Sequence, residues 1–224
     1  MKTFRSFTVF SLIILAGVVT RPSLAQTPVV VPPVVMFDSF GAGNAYNHAI
    51  VWGVTGAAAS GGYRGQAESF VPGVSGTLSS FTLATYRFAG SGRSDFFIAQ
   101  DNGSGPGTIL ESFPDTANNA NGLLTVNSSG NPLLQAGVKY WLCDEPTDST
   151  TGNGWYCNSQ GQANGFAFER SQWGWTFFGP PPAVPASGVF RVSVIPVPEP
   201  SALALVILGA WFLISRFKRG AVLT

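Results

Sequence analysis

Chemistry has few places to sit in this chain, which offers one histidine, two cysteines and eleven acidic side chains among 224 residues. A serine-hydrolase triad would have to use His48, and no serine stands in the Gly-x-Ser-x-Gly spacing of a nucleophile elbow. One histidine and two cysteines leave too few nitrogen and sulfur ligands for zinc, and no cofactor is expected. For calcium, the carboxylates to consider are Asp101 and the group Asp144, Glu145 and Asp148. Asp101-Asn102-Gly103 lacks the Asp or Asn that an EF-hand loop needs at its third position, and solvated turn acids are the plainer account of all four. Glycoside hydrolysis needs two facing carboxylates, and Glu68, Asp95, Glu111 and Glu169 fall in or beside expected strands. Nothing in the sequence places two of them across a cleft, so no catalytic residue is assigned.

The aromatic residues are more suggestive. Trp155 and Tyr156 are followed by Trp173, Trp175, Phe177 and Phe178, and Trp173 and Trp175, two apart, share a face if the segment is a strand. Exposed, Trp155, Trp173 and Trp175 are the candidates to stack on sugar rings. Buried, they are core, which is where large aromatics mostly go. The connection from Asp144 to Tyr156, rich in Thr, Ser, Gly and Asp, is long for a hairpin and is the first place to look for binding.

The elements that must position these residues are short strands. Glycine (27) and proline (16) punctuate the chain, and apolar runs fall at 34–37, 50–54, 67–71, 77–88, 95–100, 108–113, 123–126, 139–143, 155–158, 165–170, 173–178 and 189–195. The last alternates cleanly, with Phe190, Val192 and Val194 on one face and Arg191 and Ser193 on the other. Repeated strands without a helical period outside the termini predict an all-β chain, two antiparallel sheets packed as a jelly-roll-like sandwich over 34–196. The prolines of 179–185 cannot lie in a central strand and predict an extended loop.

Both termini read as targeting segments. Residues 1–25 have the zones of a secretory signal: Lys2 and Arg5, an apolar core from Phe7 to Val19, and Ser23-Leu24-Ala25, with signal peptidase expected to cut after Ala25. A proline-spaced leader, 26–33, follows. At the other end, 197–224 carries Val197-Pro198-Glu199-Pro200-Ser201, an apolar helix over 202–214 and a basic cluster, Arg216, Lys218 and Arg219. That helix reaches roughly 20 Å, short of a hydrocarbon core of about 30 Å. Six of the twelve basic residues lie in these two segments, so the body is mildly acidic and lacks the basic patch that nucleic acid requires. Export into an oxidising compartment, with Cys143 and Cys157 the chain's two cysteines, predicts a disulfide between them.

The terminal Pro-Glu-Pro, apolar run and basic cluster closely resemble the PEP-CTERM sorting signal of exported proteins in Gram-negative bacteria. The resemblance implies transient retention in the inner membrane, cleavage by an exosortase near Pro198-Glu199-Pro200, and release to the cell surface or extracellular polysaccharide. A second pair of segments, Asp101-Asn102-Gly103-Ser104-Gly105-Pro106-Gly107 and Leu134-Gln135-Ala136-Gly137-Val138-Lys139-Tyr140-Trp141-Leu142, resembles the choice-of-anchor domains. These are secreted β-sandwiches with alternative attachment tails, so the resemblance implies a fold and a location but no activity. The function expected is structural or adhesive, with a non-catalytic glycan-binding module and a glycan-active enzyme as alternatives.

Overall fold

The computed structural model describes residues 31–118, 121–161, 166–170, 174–178 and 187–197, with Leu208 and Trp211; for 166–170, 177 and 178 it describes the backbone alone. Thirteen strands carry the fold of these residues: β1 (Val34–Asp38), β2 (Asn47–Thr55), β3 (Gly65–Phe70), β4 (Gly76–Ala89), β5 (Arg93–Asp101), β6 (Pro106–Ala117), β7 (Asn121–Asn127), β8 (Leu133–Leu134), β9 (Tyr140–Pro146), β10 (Gly152–Cys157), β11 (Phe166–Arg170), β12 (Gly174–Phe178) and β13 (Phe190–Pro196). One helical turn between strands, α1 (Ala57–Ser60), and the two-residue β8 are not legible in the sequence pattern.

All pairings are antiparallel and form two sheets. The first runs β1-β13-β4-β10-β2, with β7 and β8 also paired to the long β4; the second runs β12-β11-β3-β9-β5-β6. Alternation decides which side of each strand meets the other sheet. In β13, Phe190, Val192 and Val194 are fully buried while Arg191 and Ser193 are half exposed, as the sequence predicts. Along β4 the register skips Ser79, since Ser193 pairs Ser80 and Val194 pairs Leu78. The extra residue is a bulge that turns both Leu78 and Phe81 inward.

The main core lies between the sheets. Phe81, Leu83, Trp155, Phe190 and Val192 of the first meet Phe70, Phe96, Ile98, Tyr140 and Leu142 of the second. Two smaller clusters sit on the outer faces: Ala67, Phe97, Ala99, Trp141 and Cys143 on the second sheet, and Phe40, Ala84, Tyr156 and Val189 on the first.

This layering overturns the expected disulfide. Cys143 and Cys157 are both buried and are not bridged. Cys143 pairs with Ala67 and shares its outer face, whereas Cys157 lies beside the inward Glu68. The two sulfurs therefore stand on opposite sides of the second sheet. The expected long loop also disappears. Asp144 to Pro146 complete β9, Gly152 begins β10, and the five residues between them arch from one sheet to the other.

The signal segment 1–25 with Ala25, the prolines of 179–185, Pro198, Glu199, Pro200, Arg216, Lys218 and Arg219 lie outside the described residues, as does most of the apolar run 202–214. Leu208 and Trp211 of that run are helical and exposed. Among the described residues, no helix is long and apolar enough to cross a membrane.

Candidate functional site

Of the three tryptophans considered as possible sugar-stacking residues, Trp155 is excluded by burial. It is 0% exposed, its ring packs edge-on against Phe190 at 5.7 Å, and its indole N–H donates to the Val189 carbonyl at 2.9 Å. Its position on β10 points it between the sheets, where a large aromatic fills core. Trp175, on the edge strand β12, is half-buried and packs edge-on against Phe97 at 6.3 Å. Trp173 lies outside the described residues, as do the side chains of Phe177 and Phe178.

The calcium candidates do not converge. Asp101 accepts the Trp141 indole N–H at 2.7 Å, caps the backbone N–H of Gly103 at 3.2 Å and lies 3.5 Å from the Lys139 ammonium. Glu145 accepts the Tyr63 hydroxyl at 3.1 Å on the outer side of its sheet, while Asp144, next in the chain, points between the sheets. Asp148 accepts the backbone N–H groups of Thr150 and Thr151 and the hydroxyls of Thr150 and Ser91. Those bonds hold its carboxyl down at about 2 and close the arch between β9 and β10. Among the described residues, no group of three His, Cys, Asp or Glu side chains is placed to hold a metal.

The carboxylates considered for glycoside chemistry are also engaged separately. Glu68 is buried between the sheets, where one oxygen accepts the Gly188 N–H and burial raises its pKa well above the usual range. Asp95 lies on the opposite face and accepts the Asp115 N–H at 2.7 Å and the Thr147 hydroxyl at 3.2 Å. Glu111 accepts from the Ser128 hydroxyl and from the Ser129 and Gly130 N–H groups at 2.8 and 2.7 Å. Burial pushes Glu111 up, but those bonds outweigh it and hold the carboxyl below its ordinary range. The Glu169 side chain lies outside the description.

The two segments that resemble choice-of-anchor domains meet in space. Asp101 closes the β5–β6 turn and receives Trp141 of β9 and Lys139, the residue just before that strand. Gly137, at φ 76°, donates to the Pro72 carbonyl at 3.0 Å, and the Tyr140 hydroxyl accepts the Gln135 N–H at 3.0 Å. Both motifs thus act as a structural latch. Trp141 lies on the outward face but is buried by its cluster, and Tyr140 is in the core.

A surface that sequence reasoning missed lies on the outer face of the first sheet. Rings follow one another across β2, β10 and β4: His48 to Tyr46 at 4.1 Å, Tyr46 to Tyr156 at 5.2 Å, Tyr156 to Tyr86 at 6.2 Å and Tyr86 to Phe88 at 6.2 Å. Tyr156 is buried beneath the strip and donates its hydroxyl hydrogen to the Asn121 carbonyl oxygen at 3.1 Å. Burial, together with Tyr46 and Tyr86, raises its pKa. Tyr86 and Phe88 are 38% and 47% exposed, and their ring planes stack at an interplanar angle of 28°. The sequence signal was there, since Ala84, Tyr86 and Phe88 alternate with Leu83 and Thr85. The pairing of β4 with β10, and of β10 with β2, that joins these rings is not written in the local pattern. Compared with protein-family models, with curated proteins and with solved structures, the chain matches none.

Proposed function

We propose that this chain is an exported protein with a structural or adhesive role at the cell surface or in extracellular polysaccharide, and that the aromatic strip from His48 to Phe88 is its contact surface. The observation that carries the proposal is the exposed pair Tyr86 and Phe88, whose ring planes lie 28° from parallel, continued by Tyr46 and His48. Contiguous exposed apolar surface rimmed by polar groups marks interaction sites, and flat rings offer faces to the C–H surfaces of sugars. Delivery follows from the terminal segments: signal peptidase after Ala25, transient residence in the inner membrane, and exosortase cleavage near Pro198-Glu199-Pro200. The jelly-roll-like arrangement belongs to the same proposal, supported by a chain that passes repeatedly between its two antiparallel sheets.

The glycan-binding alternative is favoured by the same strip and differs only in making binding the whole function. The glycan-active enzyme has no comparable support, because Glu68, Asp95 and Glu111 each have a separate structural partner. A polysaccharide panel tests the contact surface. Tyr86→Ala combined with Phe88→Ala should weaken retention on the bound polysaccharide at least about tenfold while leaving the melting temperature nearly unchanged, as exposed positions do. Retention that is equal for the variant and the parent removes the strip from the function. Expression in an exosortase-deficient host should leave the full tail mass on the protein, and identical masses in both hosts would reject the sorting proposal.

A further inference from the structure

Apart from Glu68 Oε2, every buried side-chain polar atom without a hydrogen-bond partner among the described residues sits at one end of the sandwich interior. They are Gln66 Oε1, Thr85 Oγ1, Asn118 Oδ1, Asn153 Oδ1 and both carboxylate oxygens of Asp144. Ser94 gathers this end, because its hydroxyl oxygen accepts the Asn118 amide at 2.8 Å and the Asn153 amide at 3.0 Å. Ser94 flanks Phe96, the strand partner of Asp144, and Gln66 is the partner of Asp144 on its other side. Thr85 stands opposite Trp155, two residues from Asn153 on the same face. Burial favours the protonated form of Asp144 and the nearby Ser94 only partly opposes it, and neither carboxylate oxygen closes a hydrogen bond.

The amide orientations are fixed by their donors. Asn153 Nδ2 also donates to the Arg93 carbonyl at 3.2 Å, and Gln66 Nε2 donates to the Gly53 carbonyl at 2.8 Å. The oxygens are therefore left without donors, and a buried acceptor without one is costly. The end is also closed from above. Gly90, at φ 67°, approaches so near that a Cβ there would lie 2.0 Å from the Thr150 carbonyl, which seals the β4–β5 turn onto the arch before β10.

We propose that this end of the interior is a calcium site, with the Asp144 carboxylate and the amide oxygens of Asn118, Asn153 and Gln66 as ligands. Calcium takes six to eight oxygens, amide carbonyls and bidentate carboxylates among them. The absence of nitrogen and sulfur donors disfavours zinc. Magnesium demands a rigid octahedron and keeps its waters. A single carboxylate sets a low ligand charge and hence an affinity of about 10⁻⁴ to 10⁻³ M, the range of extracellular modules. The proposal does not depend on the aromatic strip.

Calorimetric titration of the purified chain with calcium chloride, against magnesium chloride and against sodium chloride at matched ionic strength, tests it. One calcium per chain is expected, with a melting temperature that rises with calcium and not with the other two salts. Asp144→Asn should weaken binding by at least about tenfold, whereas Asp101→Asn and Asp148→Asn should leave the stoichiometry intact. Should Asp144→Asn not fold, Asn153→Asp serves instead and should tighten binding by adding ligand charge. No heat and no stabilisation at calcium about ten times above that range overturns the site and leaves buried water as the partner of these oxygens. Binding that survives Asp144→Asn, or fails to tighten in Asn153→Asp, overturns it equally.

Discussion

Removing the carboxylate of Asp101 should unlatch β9 from the β5–β6 turn. The Trp141 indole N–H reaches Asp101 Oδ1 at 2.7 Å, Trp141 is 1% exposed and the Asp101 side chain 18% exposed. A hydrogen bond to a charged group in such a setting contributes about 1.5–3 kcal/mol. The bond from the Gly103 N–H at 3.2 Å adds about 0.5–1 kcal/mol. The Lys139 ammonium adds little, because it is 45% exposed and screened by solvent. Asp101→Ala should therefore destabilise the chain by about 3 kcal/mol, a fall in melting temperature of roughly 6–12 °C for a domain of this size. Asp101→Asn, which keeps a neutral acceptor in place, should lose about half as much. The deciding assay is a double-mutant cycle with Trp141→Phe in urea. A coupling energy of about 1.5–3 kcal/mol is expected between contacting partners. Coupling below about 0.5 kcal/mol would mean that the two motif segments are neighbours without a latch.

The remaining predictions concern buried groups. Cys143 and Cys157 should resist alkylation in the native chain and label as two thiols after denaturation without reductant; burial and the nearby Glu68 push the Cys157 thiol up to about 12, and a failure to label would restore the disulfide. Burial raises the Asp144 carboxyl to about 8, with Ser94 opposing that and the Asp95 charge adding to it. The folded state thus holds this proton more tightly than the unfolded chain does. In calcium-free buffer its contribution should be fully present below about pH 4 and lost as pH rises towards 8, a slope absent from Asp144→Asn in denaturant titrations. Glu111 has the opposite sign: its folded pKa is lowered, so its contribution is present above about pH 4.3 and lost in acid, and Glu111→Gln should flatten the acid limb of the stability profile. Trp155→Phe should cost about 2–4 kcal/mol through the lost Val189 bond and a cavity, with polysaccharide retention unchanged.

The sequence by itself determined the strands and their inward faces. Phe190, Val192 and Val194 alternate with polar residues, and burying them requires a strand whose two faces differ. Apolar runs and Gly or Pro turns likewise located nearly every strand among the described residues, because both signals are local. What only tertiary structure decided is which strands lie side by side and what each outer face meets. Cys143 and Cys157 look like partners to anyone counting cysteines, but β9 turns the Cys143 sulfur to the outside of the second sheet, whereas β10 leaves the Cys157 sulfur between the sheets. Trp155, by residue type a possible sugar-stacking residue, is core, while His48, Tyr86 and Phe88, with the half-buried Tyr46, come from separate segments to make the strip. The same non-local pairing brings Gln66, Asn118, Asp144 and Asn153 to one end of the interior. Each of these residues is unremarkable in its own segment, and it is strand pairing over long sequence separations that leaves their oxygens together without donors.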